Sequence, residues 1–266
     1  MNRLKSLAQQ EKQSSPALYY VVLIHLLLAI ICMVGLVVDD RTLMGINVWI
    51  KPLKFCISGG IYIFTVGYLT TLYPYSNTKR KIINNVVAWT LLLEILIIFF
   101  QGARGVQSHY NQSSAFDGIM FAMMGLLIAI NVLIMVLFLF DAIRLKMKVS
   151  RPVQWGIIIG WAVVIAGSWV GGQMIGQMAH AVGVVDGGEG LPLLNWSTTA
   201  GDLRVAHFFG LHGIQIIPLF AWLLTPKNGQ FKTSHLGGTV IFGLLYASWI
   251  GYTFYQASQA LPFLKL

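Results

Sequence analysis

The chain has 266 residues, 56% of them hydrophobic and 10% charged, with a mean hydropathy of +0.71 and a formal charge of +9. Soluble domains carry about 25% charged residues, so an ordinary soluble enzyme is excluded and an integral membrane protein is expected. No soluble basic module is present to use the positive charge, which excludes nucleic acid and leaves the lipid bilayer as the expected partner.

A spanning helix needs about 20 apolar residues. Seven stretches meet that length, at 19–38, 52–73, 84–103, 118–140, 153–178, 203–224 and 236–258. The expectation is an all-α integral membrane protein, a single bundle of seven transmembrane helices over 19–258. A polar tail covers 1–18 and a short outer tail 259–266. No small-residue cleavage site clearly follows the first apolar run, so that helix reads as retained.

Charge sets the expected orientation. Arg3, Lys5, Lys12, Lys79, Arg80, Lys81, Arg144, Lys146, Lys148, Arg151, Lys227 and Lys232 fall on one side if the seven spans alternate. By the positive-inside rule that side is cytoplasmic, with the N-terminus inside and the C-terminus outside. A bacterial inner membrane is the expected location. The acids Asp39, Asp40, Glu94, Asp117, Asp186, Glu189 and Asp202 gather at or near the other side, as do His109, His180, His207 and His212.

In the first two spans Cys32 and Cys56 read as small packing residues, since they form no metal motif. The second span opens with Pro52 in its first turn. Lys51, Lys54, Ser58, Tyr62 and Thr65 then recur at helical spacing as one polar stripe, with Lys54 expected to face inward. The third span carries Glu94 deep in apolar sequence. A group at that depth must face the protein and find a partner or stay neutral. Gln101 lies on its face and Arg104 within the next turn. The fourth span is interrupted only by Asn131, which an interhelical hydrogen bond explains.

The fifth span ends SWVGGQMIGQMAHAVG. Gln173, Gln177 and His180 follow at i, i+4 and i+7 on one expected face, with Gly172 and Gly176 at small-residue packing spacing. The connection from 181 to 201 is long and rich in Gly. Trp196 is expected at headgroup level, and residues 197–202 offer N-caps for the sixth span. That span, GDLRVAHFFGLHGIQIIP, carries Arg204, His207, His212 and Gln215. In a regular helix the histidines are about 140° and 7.5 Å apart, so they cannot chelate one ion together. They form the edges of a face centred on Arg204 and Gln215, with Pro218 a candidate kink. The seventh span has no lysine, which argues against a retinal Schiff base. Segments 116–125 and 201–210 share an Asp eight residues before a Gly, a weak internal echo.

Polar stripes on several spans converge on an expected cavity in the outer half, holding a small-molecule ligand or cofactor. Glu94, Arg104 and Arg204 are its catalytic candidates. His180, His207, His212, Gln177, Gln215 and Lys54 are the cofactor-binding candidates, and His212, His180 and His207 the metal candidates. The first reading is a redox protein holding b-type haem or serving a quinone, because imidazole ligates haem and Arg or Lys can meet propionates. The alternatives are a transporter or receptor for a small anionic or polar solute, and a metal-dependent enzyme acting on a lipid-like substrate, with a transition metal as cofactor. A structural or assembly subunit, whose polar residues only join helices, is the remaining reading.

Overall fold

A computed structural model describes residue 9, residues 12–226 and residues 231–265. Arg3, Lys5 and Lys227, used above for orientation, lie outside the described residues. In chain order the elements are α1 (Pro16–Val38), β1 (Thr42–Leu43), β2 (Ile46–Asn47), α2 (Ile50–Leu72), α3 (Asn77–Arg104), α4 (Ala115–Arg144), α5 (Arg151–Gln177), β3 (Ala181–Val182), β4 (Gly201–Asp202), α6 (Leu203–Leu211), α7 (Gly213–Leu224) and α8 (Thr233–Ser258). Six helices are long and apolar enough to cross a membrane, or seven if α6 and α7 count as one bent span. The chain divides into two compact units, Met1–Ile134 and Met135–Leu266, each described by itself.

In the first unit α1, α2 and α3 pack in all three pairings. Pro16 opens α1 at a position where its missing N–H is not needed. Ser76 caps α3 by accepting from the Lys79 N–H. Gly105 ends α3 with φ 74°, a left-handed conformation that a side chain would strain. Close approach is bought by missing side chains: a Cβ on Gly35 would meet the Trp49 ring at 2.6 Å, and one on Gly102 would meet Pro52 Cγ at 2.5 Å. β1 and β2 pair antiparallel between α1 and α2. The first half of α4 joins this unit through Met124, which forms a buried cluster with Ile97 and Ile98.

In the second unit α5 runs against α6, α7 and α8. A Cβ on Gly210 would sit 2.6 Å from the Gly167 Cα, and one on Gly213 would meet Val163 Cγ1 at the same distance. The small-residue contact expected at Gly172 and Gly176 therefore falls elsewhere, on Gly167 and its neighbours. Nothing lies within 4 Å of a Cβ built on Gly172 or Gly176. β3 and β4 pair antiparallel, and Gly201 passes so close to the Ala257 carbonyl that no side chain fits there. The second half of α4 stacks Phe138 on Trp161, while Gln154 donates to the Ala142 and Leu145 carbonyls at 2.8 Å.

Candidate functional site

The expected site residues fall in both units: Lys54, Glu94 and Arg104 in the first, and Gln177, His180, Arg204, His207, His212 and Gln215 in the second. In the second unit the sixth span is not a regular helix. α6 and α7 meet at His212 with a bend of 46°. The bend lies six residues before Pro218, the position the sequence pointed to. Gly210 and Gly213 flank it. Breaking a helix frees backbone carbonyls, and these must find donors away from water. The Phe209 carbonyl accepts from the Tyr246 hydroxyl of α8 at 2.7 Å, and the His212 carbonyl accepts from the Gln215 and Ile216 N–H groups. A change of direction at His212 also splits the face that a straight helix would have centred on both Arg204 and Gln215. The imidazole of His212 meets the Gln215 side chain by hydrogen bond and packs edge-on to Phe208.

His207 donates from Nδ1 to the Gly167 carbonyl at 2.8 Å, a role fixed because a carbonyl can only accept. Its ring lies so close to Gly171 that a Cβ there would approach Cε1 to 2.9 Å. His180 is not on the face of α5. That helix ends at Gln177, and Met178 follows with φ 54°. His180 sits in the connection, its Nδ1 2.5 Å from Asp186 Oδ2 and its N–H donated to the same carboxylate. Burial opposes ionisation of Asp186, but the His180 ring and the backbone N–H groups of His180 and Ala181 outweigh it, holding the carboxyl at about 2. Gln177 is exposed and closes the helix end, donating to the Ala179 and Ala181 carbonyls. Gln173 is exposed as well.

Both arginine candidates are neutralised locally. Asp202 caps α6, as the sequence indicated, accepting from the Arg204 N–H at 3.0 Å. It also accepts from Arg204 Nε and Nη2 and from the Ser197 N–H, and it is 1% exposed. Arg204 Nη2 reaches the Asn195 carbonyl too. Arg104 pairs with Asp117 at 2.6 Å and with Gln101, between the Phe100 and Phe116 rings. Trp196 is packed inside the protein. It is 6% exposed, enclosed by Phe208, Phe209 and Phe263.

Sequence reading missed a second lock of the same kind. Asp39 accepts from Arg41 Nε and Nη2 and from Trp49 Nε1, and Arg41 Nη2 also reaches the Ala103 carbonyl. Hydrogen bonds from Arg41 and Trp49 hold the Asp39 carboxyl well below the usual carboxylate range. The signal was legible as Asp-x-Arg, present at 39–41 and again at 202–204. Each unit thus runs helix, short strand pair with an Asp-x-Arg lock, and two further spans. This echo is closer than the Asp-to-Gly spacing noted above.

In the first unit Lys51 and Lys54 are half-buried near the start of α2. Cys32 and Cys56 are buried against each other, their thiols hydrogen-bonded across α1 and α2. Glu94 is 8% exposed, and its Oε2 has no hydrogen-bond partner among the described residues. Among the described residues no three His, Cys, Asp or Glu side chains gather in a way that would hold a metal ion. Comparison with protein-family models, with curated proteins and with solved structures finds no match.

Proposed function

We propose that this helical membrane protein is a transporter or receptor for a small anionic or polar solute, with the N-terminus cytoplasmic. The observation that carries the reading is the break at His212. Counted from Leu203, His212 lies about 13.5 Å along the helix, near the middle of a hydrocarbon layer of about 30 Å. Irregular backbone at such depth is tolerated where it is buried in protein or lines a cavity. Discontinuous helices of this kind hold substrates in transporters, with the N-terminal end of one half-helix directed at anionic groups. Here that end is the first turn of α7, carrying His212 and Gln215. The repeated order of the two units supports the same reading, because parallel repeats are a common transporter plan. Arg104 and Arg204 are assigned as anchors, since each already faces a carboxylate.

Uptake of a panel of labelled carboxylates, phosphates and amino acids into proteoliposomes tests the reading. His212→Ala should lose most of the flux while retaining its elution profile in detergent. No solute moving or binding above protein-free vesicles would overturn the proposal.

A redox reading with b-type haem or a transition metal keeps one supporting observation. His180 and His207 each engage Nδ1, with Asp186 and the Gly167 carbonyl respectively, and their charges interact. Fixing Nδ1 in this way is how proteins orient an imidazole for ligation through Nε2. A visible spectrum of protein expressed with haem, together with metal analysis, decides it: a Soret band lost in His207→Ala supports haem, and its absence removes haem.

A further inference from the structure

The helix 3 stripe that contains Glu94 has a partner on α4 at every member but one. Thr90, Glu94 and Gln101 lie within about 40° of one another around α3. At the inner end Asn131 Nδ2 donates to Thr90 Oγ1 at 2.7 Å. At the outer end Gln101 Nε2 donates to Asp117 Oδ1 at 2.9 Å, and Arg104 closes the same carboxylate. Between these two ties sits Glu94, opposite the apolar stretch that includes Met124 and Leu127. Two buried oxygens in this interval lack a donor: Glu94 Oε2 and Asn131 Oδ1. Glu94 is 8% exposed and Asn131 fully buried.

Asn131 Nδ2 also donates to the Leu127 carbonyl at 3.0 Å, so both amide hydrogens are used and Oδ1 alone is left, one turn from the level of Glu94. Side chains lean toward the N-terminus of their own helix. α3 and α4 run antiparallel here, as the pairs Thr90–Asn131 and Gln101–Asp117 require. Glu94 therefore leans inward toward the Thr90 level, and Asn131 leans outward toward Glu94. Glu94 lies one helical turn, about 6 Å along α3, from the Thr90 that holds Asn131. Two buried acceptors left without a donor in one apolar interval are relieved by a single hydrogen. A protonated Glu94 donating to Asn131 Oδ1 supplies it and leaves no net charge in an apolar interval. A metal cation such as Ca²⁺ or Mg²⁺ would ask for about six oxygens, and these side chains offer four: both of Glu94, Asn131 Oδ1 and Thr90 Oγ1.

The geometry points to Glu94, Asn131 and Thr90 as an exchangeable proton-binding site within the α3–α4 contact. Other titratable groups lie on the elements packed against α3. His25 of α1 gives Nδ1 to the Val21 carbonyl and lies against Gly59. Tyr62 of α2 is buried with its hydroxyl unpartnered among the described residues; Cys32 and Cys56 bond to each other. Lys51 and Lys54 lie at the outer start of α2, and Asp117 is held by Arg104. The site rests on the first unit alone and does not depend on the transport reading.

Infrared difference spectroscopy of the purified protein in lipid tests it without any transport assay. At pH 7 the expected spectrum contains a carboxylic acid C=O band that Glu94→Gln removes. In Asn131→Leu the band moves to higher frequency as its hydrogen bond is lost. Transfer to D₂O should shift it within minutes, and replacing choline by Na⁺ should leave it unchanged. Absence of the band at pH 7 would overturn the proposal, as would its loss in Na⁺. A band that fails to exchange in D₂O would equally overturn it, marking Glu94 as a fixed structural acid. Glu94→Gln keeps the shape of the side chain, and elution of each variant with the parent protein verifies the fold.

Discussion

Asp202 offers the sharpest test of how the outer end of α6 is held. Its carboxylate accepts from the Ser197 N–H, the Arg204 N–H, Arg204 Nε and Arg204 Nη2, at 2.6–3.0 Å for the closest contact of each donor. Its side chain is 0% exposed, against 25% for Arg204. In Asp202→Ala the guanidinium keeps only the Asn195 carbonyl, and α6 loses its cap. Breaking a buried pair by removing one partner costs about 3–5 kcal/mol. Partial exposure of Arg204 places the expected value at the lower end, about 3 kcal/mol, and a lost N-cap adds about 1. At roughly 2–4 °C per kcal/mol, the midpoint of heat-induced loss of the monodisperse detergent peak should fall by about 8–16 °C. The double variant Asp202→Ala/Arg204→Ala should fall less than the sum of the singles, since it removes the stranded charge. An Asp202→Ala midpoint within about 1 °C of the parent, or strict additivity, would refute the reasoning.

Three further outcomes are expected. Tyr246→Phe strips the donor from the Phe209 carbonyl at the helix break, costing about 1–3 kcal/mol in thermal stability; if transport runs through the break, flux should drop further than His235→Ala lowers it. Gly210→Val forces atoms into the 2.6 Å approach to Gly167, so the expected result is loss of the folded peak, whereas Gly172→Ala, facing open space, should be neutral or gain up to about 1 kcal/mol. Asp186 is held at about 2, below its unfolded value near 4, so its contribution is present above about pH 4 and disappears as pH falls toward 2. Solvent reaching the connection limits it to about 1 kcal/mol, and hydrogen exchange at the His180 and Ala181 amides, corrected for intrinsic rates, should rise over that range in the parent but be pH-insensitive and already fast in Asp186→Asn.

Apolar length alone marked the spans, because crossing a hydrocarbon layer depends on a sum over neighbouring residues and little else. Local chemistry was equally readable. Asp202 follows the loop and precedes the apolar run, and it does cap α6. Asn131, a single amide in apolar sequence, does tie two helices together. The Asp-x-Arg locks were also within reach, since both partners sit two residues apart.

Tertiary structure alone decided the rest. A kink was expected in the sixth span at Pro218, yet the break falls at His212 and is stabilised by a phenol 37 residues from the carbonyl it satisfies. The glycines of α5 repeat too often for spacing to say which pair is packed. Gly167 is, because Gly210 lies opposite, and Gly172 is not. His180 shares helical spacing with Gln177, but a left-handed Met178 ends the helix first and Asp186 captures the imidazole. Glu94 was conspicuous by depth, but that Thr90 and Gln101 on its face are tied to Asn131 and Asp117 of α4, while Glu94 Oε2 is given no donor among the described residues, was not legible. Composition and local order along the chain determined that this protein is a set of membrane-spanning helices. Which polar groups are tied and which are left without a donor was decided by packing, because the deciding neighbours lie on other helices.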